Sequence, residues 1–324
     1  MQYVSFSAAQ RLLDTSVTIG LTGMKLSLII PTLNNAAALQ RLLVAAKAQS
    51  APPDEIIVVD SASDDNTVSV AQQFGVRLIR IARSEFNHGS TRTMAGKLAC
   101  GEVLLYMTDD AAPIGTDCFE KLLEPFSQPD TAAVFGRQLP AENATAISAH
   151  LRMFNYPEQS CRRTWQDRCR FGIKTAFLSN SFCAYRRAAL EQAGWFREDI
   201  IIAEDMRAGM ELLKGGGTIV YNAQACVRHS HNLGIVKEFS RYFDIGTMHI
   251  CERTALSEFG RAEGEGKRYV LEGLAFLPLT TYPEFFIRTA AKYAGYLLGK
   301  NHRFLPHTVC RHLSLNRWWW LKTV

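Results

Sequence analysis

The sequence predicts an α/β fold built on a mainly parallel central sheet, and three observations predict it. Short, wholly apolar runs recur through the first third of the chain. Stretches with helical spacing separate them, and two of the runs stop abruptly on acids. Continuous apolar runs are the mark of strands buried on both faces, and their alternation with helices is the mark of parallel pairing.

The elements are taken in chain order. Residues 26–31 (LSLIIP) are a strand ending at a proline. Residues 36–49 place Leu39, Leu42, Leu43 and Ala46 on one helical face. Residues 55–59 (EIIVV) form a second strand that runs onto Asp60. A helix over 67–74, capped by Asp65 or Asn66, leads to a third strand over 76–81. A helix over 90–100 leads to a fourth strand, 103–107 (VLLYM), which runs into Thr108, Asp109 and Asp110. Ligands of such sheets sit beyond the carboxyl ends of the strands, where Asp60 and Asp110 stand.

The second half is less regular. Strands are expected over 131–137, 181–185 and near 218–221, and helices over 187–193 and 204–214, the last stopped by Gly215, Gly216 and Gly217. The polar, arginine-rich stretch 155–174 has no period and reads as a flexible substrate loop. Beyond Leu233 the chain reads as helical, with clusters of Phe, Tyr and Trp. Three regions result: an extension over 1–23, unlike the rest of the chain and ending just before Met24; a catalytic domain over 24–232; and a helical C-terminal region over 233–324.

Composition narrows the function classes. With 324 residues, 47% apolar and 21% charged, the chain can bury a sizeable core and is not of the disordered type. The eight cysteines show no CxxC pair and no zinc spacing, as expected of buried thiols in a reducing cytoplasm. Arg11 and Asp14 interrupt any signal-peptide run, and no apolar stretch is long and charge-free enough to span a bilayer. The formal net charge of +5 is uneven. Residues 280–324 carry Arg288, Lys292, Lys300, Arg303, Arg311, Arg317 and Lys322 against one acid, Glu284. A near-neutral body with a basic end argues against wrapping nucleic acid over the whole surface and for one anionic contact.

Four sites carry possible chemistry. Asp109 and Asp110, after a strand, can hold a divalent cation that also touches a diphosphate, or can be a solvated turn. Asp60, in VVDSASDDNT, can accept from a nucleobase or ribose, or serve the turn after the strand. Glu204 and Asp205 open a helix, where the helix dipole alone favours acids, but either can also remove a proton from an acceptor hydroxyl. His229 and His231 (VRHSH) end a strand-like run and are structural or complete a metal site.

Taken together, LSLIIPTLNN, IIVVDSASDDNT, the central Asp-Asp and the later Glu-Asp, in this order, resemble the family 2 glycosyltransferases with the GT-A fold. The resemblance runs from about Lys25 to Arg241. EFNHGSTRTMAG followed by MTDDAAP is similar to the bacterial rhamnosyltransferase branch, as are the AED, HSHN and FSRYFDIG segments. Thr93 stands where that branch has Asn, and Asp109 where it often has Gln. The resemblance implies Pro31, Thr32 and Asp60 at the nucleoside, Arg92 near the diphosphate and Asp109 at the ribose. It further implies Asp110, His229 and His231 at a Mg²⁺ or Mn²⁺ ion, Asp205 as base, and Glu204 on an acceptor or sugar hydroxyl. It implies an inverting transfer, with L-rhamnose from dTDP-L-rhamnose as the expected donor. The acceptor would be a glycan, free or on polyprenyl diphosphate, in cell-surface polysaccharide synthesis such as that of O-antigen. No Q/RxxRW pattern follows Asp205, which disfavours a processive polymerase.

Three rival functions remain open on the sequence. A nucleotidyltransferase would want a glycine-rich basic loop after the first strand, where Thr32-Leu33-Asn34-Asn35 stands instead. A binding protein that kept the fold and lost the chemistry would not need Asp60, Asp110, Asp205 and His229 together. A nucleic-acid binder could stack bases on Trp318, Trp319 and Trp320, but no recognised module surrounds them. The basic end, with Phe285, Phe286, Tyr293, Tyr296 and the Trp triplet, is expected to rest on the inner face of the cytoplasmic membrane, or to form a helical cap or an oligomer contact.

Overall fold

In the computed structural model, residues 23–260 and 264–322 are described; the expected N-terminal extension falls almost wholly outside them. Nine strands form one sheet. In chain order they are β1 (Leu26–Thr32), β2 (Glu55–Asp60), β3 (Arg77–Arg80), β4 (Val103–Met107) and β5 (Ala112–Pro113), then β6 (Thr131–Leu139), β7 (Cys161–Arg163), β8 (Phe182–Arg186) and β9 (Thr218–Arg228). They lie in the spatial order β3-β2-β1-β4-β8-β6-β9-β5, with β7 on β9. The first four are parallel; β8 is antiparallel to β4 and β6; β6 and β9 are parallel again; β5 and β7 run against β9.

Strand alternation splits the core into two layers. Ile29, Ile57, Val59, Leu104 and Tyr106 face one side, while Leu28, Ile30, Val58, Leu105 and Met107 face the other. On the second side lie helices α1 (Ala36–Lys47), through Leu39, Leu42, Leu43 and Ala46, and α2 (Thr67–Gln73), through Val70 and Ala71. Against the first side lies α3 (His88–Leu98), through Ala95. Each fully buried Leu or Ile contributes about 1.5–3 kcal/mol, so both layers are well held. Asp65, not Asn66, receives the Thr67 backbone N–H at 2.9 Å at the start of α2.

The stretch 155–174 is not the flexible loop its composition suggests. After α4 (Ala146–Asn155) the chain forms β7, then the 3-10 turn Trp165–Asp167, the helical turn Arg168–Phe171 and the 3-10 turn Gly172–Ala176. Asp167 Oδ2 accepts from both the backbone N–H and the hydroxyl of Thr164 at 2.8 Å, and Trp165 packs edge-on against Phe259 at 5.2 Å. Elements this short leave no period to read.

Helix α5 (Glu204–Lys214) covers the first face of the sheet through Ala208, Met210, Leu212 and Leu213. The rest is helical: α6 (Ile235–Cys251), α7 (Glu265–Phe276) and α8 (Tyr282–Lys300), followed by shorter turns. Phe243, Met248, Cys310 and Trp320 pack on Ile200 and Ile201 of the body, and Tyr269, Leu277 and Phe285 pack on Ile147 of α4. Asp244 of α6 ties the end of the chain, accepting from the Ser314 hydroxyl at 2.6 Å and from the Leu315 and Asn316 backbone. Phe285 and Trp320 are thus buried, which removes them from the set expected on an anionic surface.

Candidate active site

Three strand ends converge. Register pairs Thr32 at the end of β1 with Asp60 at the end of β2, and β4 on the other flank of β1 runs on into Thr108, Asp109 and Asp110. The short strand β5 then pairs antiparallel with the end of β9, Ala112 opposite Arg228. That pairing carries Asp110 to His229 and His231, which are more than a hundred residues away in sequence.

Asp109 is held by two neighbours. Its Oδ2 accepts from the Thr32 hydroxyl at 2.6 Å and its Oδ1 from the Asn35 amide at 2.9 Å. Burial raises its carboxyl above the ordinary range, and these two hydrogen bonds offset part of that rise. Sequence does not single out Asn35, because Asn-Asn after a strand reads as a turn. Asp60 is fully buried and accepts the Ser63 backbone N–H at 3.1 Å, with Arg80 Nε at 3.9 Å. It therefore shapes its own turn at the strand end, with Pro31 half-exposed beside Thr32.

The ligating atoms offered by Asp110, His229 and His231 lie within 4.8 Å of one another. His229 Nε2 is 3.4 Å from Asp110 Oδ1, and His231 Nδ1 is 3.7 Å from Asp110 Oδ2. The protonation of His229 follows from its other nitrogen, which lies 2.9 Å from Gln138 Oε1. Arg152 Nη1 also points at Gln138 Oε1, at 2.6 Å, while the Gln138 amide nitrogen donates to Ser179 at 2.9 Å. A guanidinium only donates, so the Gln138 oxygen faces it, and His229 Nδ1 must carry the hydrogen. In the neutral ring the lone pair is then on Nε2, a buried atom with no hydrogen-bond partner that faces a carboxylate oxygen. Two acceptors in that position call for a cation between them, and imidazole with carboxylate is a donor set suited to Mn²⁺ or Mg²⁺.

Glu204 and Asp205 begin α5 directly after Ala203, which has the left-handed φ of 68°. A non-glycine residue is strained there. Asp205 accepts the Asn180 backbone N–H at 3.1 Å and that of Met206 at 2.8 Å. Burial, and then the charge of Glu204, push its carboxyl up to about 7.

Arg92 and Glu204, expected at the diphosphate and at a hydroxyl, meet each other. Arg92 is 5% exposed and its Nη1 donates to Glu204 Oε1 at 2.6 Å, so each is the other's counter-charge. The pair uses one guanidinium nitrogen and one carboxylate oxygen, and the buried Arg92 Nε has no hydrogen-bond partner. The nearby Thr93 bonds to the Phe196 backbone at 3.1 Å. An exposed cation given no role by the sequence, although it lies in the FSRYFDIG segment, is Arg241 on α6. Its charge acts on His231, on Arg152 and on His88. It forms no ion pair among the described residues.

Residues 27–194 match the profile of Glycosyl transferase family 2. The O-antigen chain rhamnosyltransferase RfbN of Salmonella typhimurium is 40% identical over 302 residues, covering 92% of this chain and 96% of that one. The O-antigen chain rhamnosyltransferase WbaN of Salmonella anatum is 40% identical over 267 residues, covering 81% and 84%. Among solved structures, the mannosyltransferase PcManGT of Pyrobaculum calidifontis in complex with GDP-Man and Mn²⁺ superposes with a TM-score of 0.55 at 18% identity, covering 97% of this chain and 92% of that one. S. aureus TarS 1–349 with UDP-GlcNAc superposes with a TM-score of 0.54 at 17% identity, covering 90% and 84%. At such identities the likeness is one of fold.

Proposed function

The chain belongs to glycosyl transferase family 2 and has the GT-A fold of a glycosyltransferase, and on that premise we propose an inverting, metal-dependent transfer of L-rhamnose from dTDP-L-rhamnose. The acceptor is a hydroxyl of a growing glycan, free or carried on polyprenyl diphosphate, in O-antigen synthesis in the cytoplasm. The naming of both sequence relatives supports the sugar and the polymer. The observation that carries the chemistry is the cluster of Asp110, His229 and His231, whose ligating atoms lie within 4.8 Å of one another; Asp205, its carboxyl pushed up to about 7, is the candidate base.

In this reading the catalytic unit is 24–232, with 233–324 as a buttress. Pro31, Thr32 and Asp60 line the nucleoside, and Asp109 meets the ribose. Asp110, His229 and His231 hold the divalent ion, which when bound neutralises charge on the leaving diphosphate. Arg92, together with the exposed Arg241, supplies further positive charge there. Asp205 removes the proton of the acceptor hydroxyl as its oxygen bonds to the anomeric carbon. The bond from that carbon to the diphosphate oxygen breaks on the opposite face and the diphosphate leaves with the electron pair. Glu204 is a positioning residue: paired with Arg92, it fixes the first turn of α5 and holds the Asp205 carboxyl high.

A donor screen by thermal shift tests this reading, with dTDP-, UDP- and GDP-sugars and Mg²⁺ or Mn²⁺. Stabilisation by dTDP-L-rhamnose with the metal is expected. Stabilisation by GDP-mannose alone would overturn the donor.

A further inference from the structure

Helix α8 is amphipathic in the reverse of the usual sense. The face turned to the protein carries Phe285, Lys292, Gly295 and Gly299. A Cβ at Gly295 would lie 2.4 Å from the Phe239 carbonyl oxygen, and one at Gly299 would lie 2.0 Å from that of Phe243, so α8 and α6 are in backbone contact. Charges are used on this side too: Arg288 lies 3.1 Å and Lys292 3.5 Å from Glu238, and Glu284 is neutralised by Arg288 at 2.6 Å.

The face turned to solvent is apolar from one end to the other. Phe286, Ile287, Ala290, Tyr293, Leu297 and Leu298 succeed one another on it at helical spacing. Just before the helix, Phe276 and Leu279 are exposed as well. Among the large side chains of this group, exposure runs from 38 to 79%. A monomer in water gains nothing from such a strip, and contiguous apolar surface of this kind marks an interaction site.

Charge identifies the partner. Lys300, Arg303, Arg311 and Arg317 come after the strip, are exposed, and form no ion pair among the described residues. From Glu284 to the end of the chain no further acid occurs. Two copies meeting through this surface would bring like charges together, whereas an anionic lipid surface would neutralise them. None of the described helices is long and apolar enough to cross a bilayer. We propose that the outer face of α8 is a docking surface for an anionic phospholipid bilayer, lying in the headgroup plane with the basic residues beyond it on the phosphates.

The inference goes beyond the transfer reading and rests on that reading only for its use, which is to bring the cleft to a lipid-carried acceptor. The packed face of α8 holds the helix in place independently, so the outer face can be altered without unfolding the protein. Full-length protein is co-sedimented with vesicles of phosphatidylethanolamine and phosphatidylglycerol, and with vesicles of phosphatidylcholine alone. Binding to the first and little to the second is expected, weakened by 0.5 M salt. The triple variant Phe286→Gln, Ile287→Gln, Tyr293→Gln is expected to lose on the order of 10²-fold in partitioning, since apolar burial drives insertion. The pair Lys300→Glu, Arg303→Glu is expected to lose about tenfold or more, from the contribution of each basic residue near an anionic surface. Equal binding of wild type and both variants overturns the proposal, as does equal binding to the two lipids. A wild-type dimer in analytical ultracentrifugation that the triple variant dissolves assigns the face to a second copy instead and also overturns it. Thermal shift with dTDP-L-rhamnose on the same preparations reads the donor reading separately: retained donor binding with lost lipid binding is the expected signature of each variant.

Discussion

Replacing Asp205 by asparagine is expected to remove transfer and stabilise the protein at once. The carboxyl sits at about 7 against an ordinary value of 3.8, raised by burial first and by Glu204 second. A carboxyl raised in this way favours the folded state while protonated. Its contribution is complete below about pH 4 and is lost as the pH climbs through 7. Three units at about 1.4 kcal/mol each place an upper bound of about 4 kcal/mol on what the ionised group costs the fold at pH 8. Asparagine carries no charge at any pH, and its Oδ1 can still accept a backbone N–H from Asn180 or Met206. Calorimetry should therefore show the variant melting several degrees above wild type at pH 8, and by less at pH 5. Transfer should fall by about 10²–10⁴-fold, the usual worth of a general base. In wild type the rate should rise with pH as the raised carboxyl ionises around 7. A variant that melts lower at pH 8, or that turns over within threefold of wild type, would refute the reasoning.

Other parts of the site give readouts of their own. Asp110→Asn should abolish Mn²⁺ binding measured by electron paramagnetic resonance. Gln138→Leu should weaken that binding by about 10–100-fold by freeing the His229 tautomer, with Gln138→Glu restoring it; unchanged affinity in Gln138→Leu would show that the tautomer is set elsewhere. Arg241→Ala should raise the donor KM about tenfold or more while leaving Mn²⁺ affinity unchanged, the worth of a charge-assisted contact to diphosphate. Arg92→Leu should cost about 3–5 kcal/mol in denaturant unfolding because it strands Glu204 as a buried charge, and adding Glu204→Leu should recover part of the loss.

The sheet was legible because its strands are apolar on both faces. The first four strands and helix α5 fall where apolar runs and a glycine stop place them. The stretch 155–174 was not legible, since four elements of three to five residues each cannot show a period. In the site, the acids at strand ends stood out because an acid after an apolar run breaks a pattern. The pairing of Arg92 with Glu204 was not legible, because sequence cannot show that two charges 112 positions apart meet. Gln138 and Arg152 were missed for a related reason: they act only by fixing a proton on His229. The outer face of α8 was half seen, as a basic segment with aromatics, but only packing tells which aromatics face inward.

The most direct test of the central claim tracks dTDP-L-rhamnose by NMR in the presence of the purified protein and Mg²⁺, with water as the acceptor. The account predicts slow consumption of the donor, a nascent sugar of inverted anomeric configuration, dependence on the divalent ion, and loss of turnover in Asp205→Asn. A nascent sugar of retained configuration, or turnover unchanged by a chelator, would contradict it.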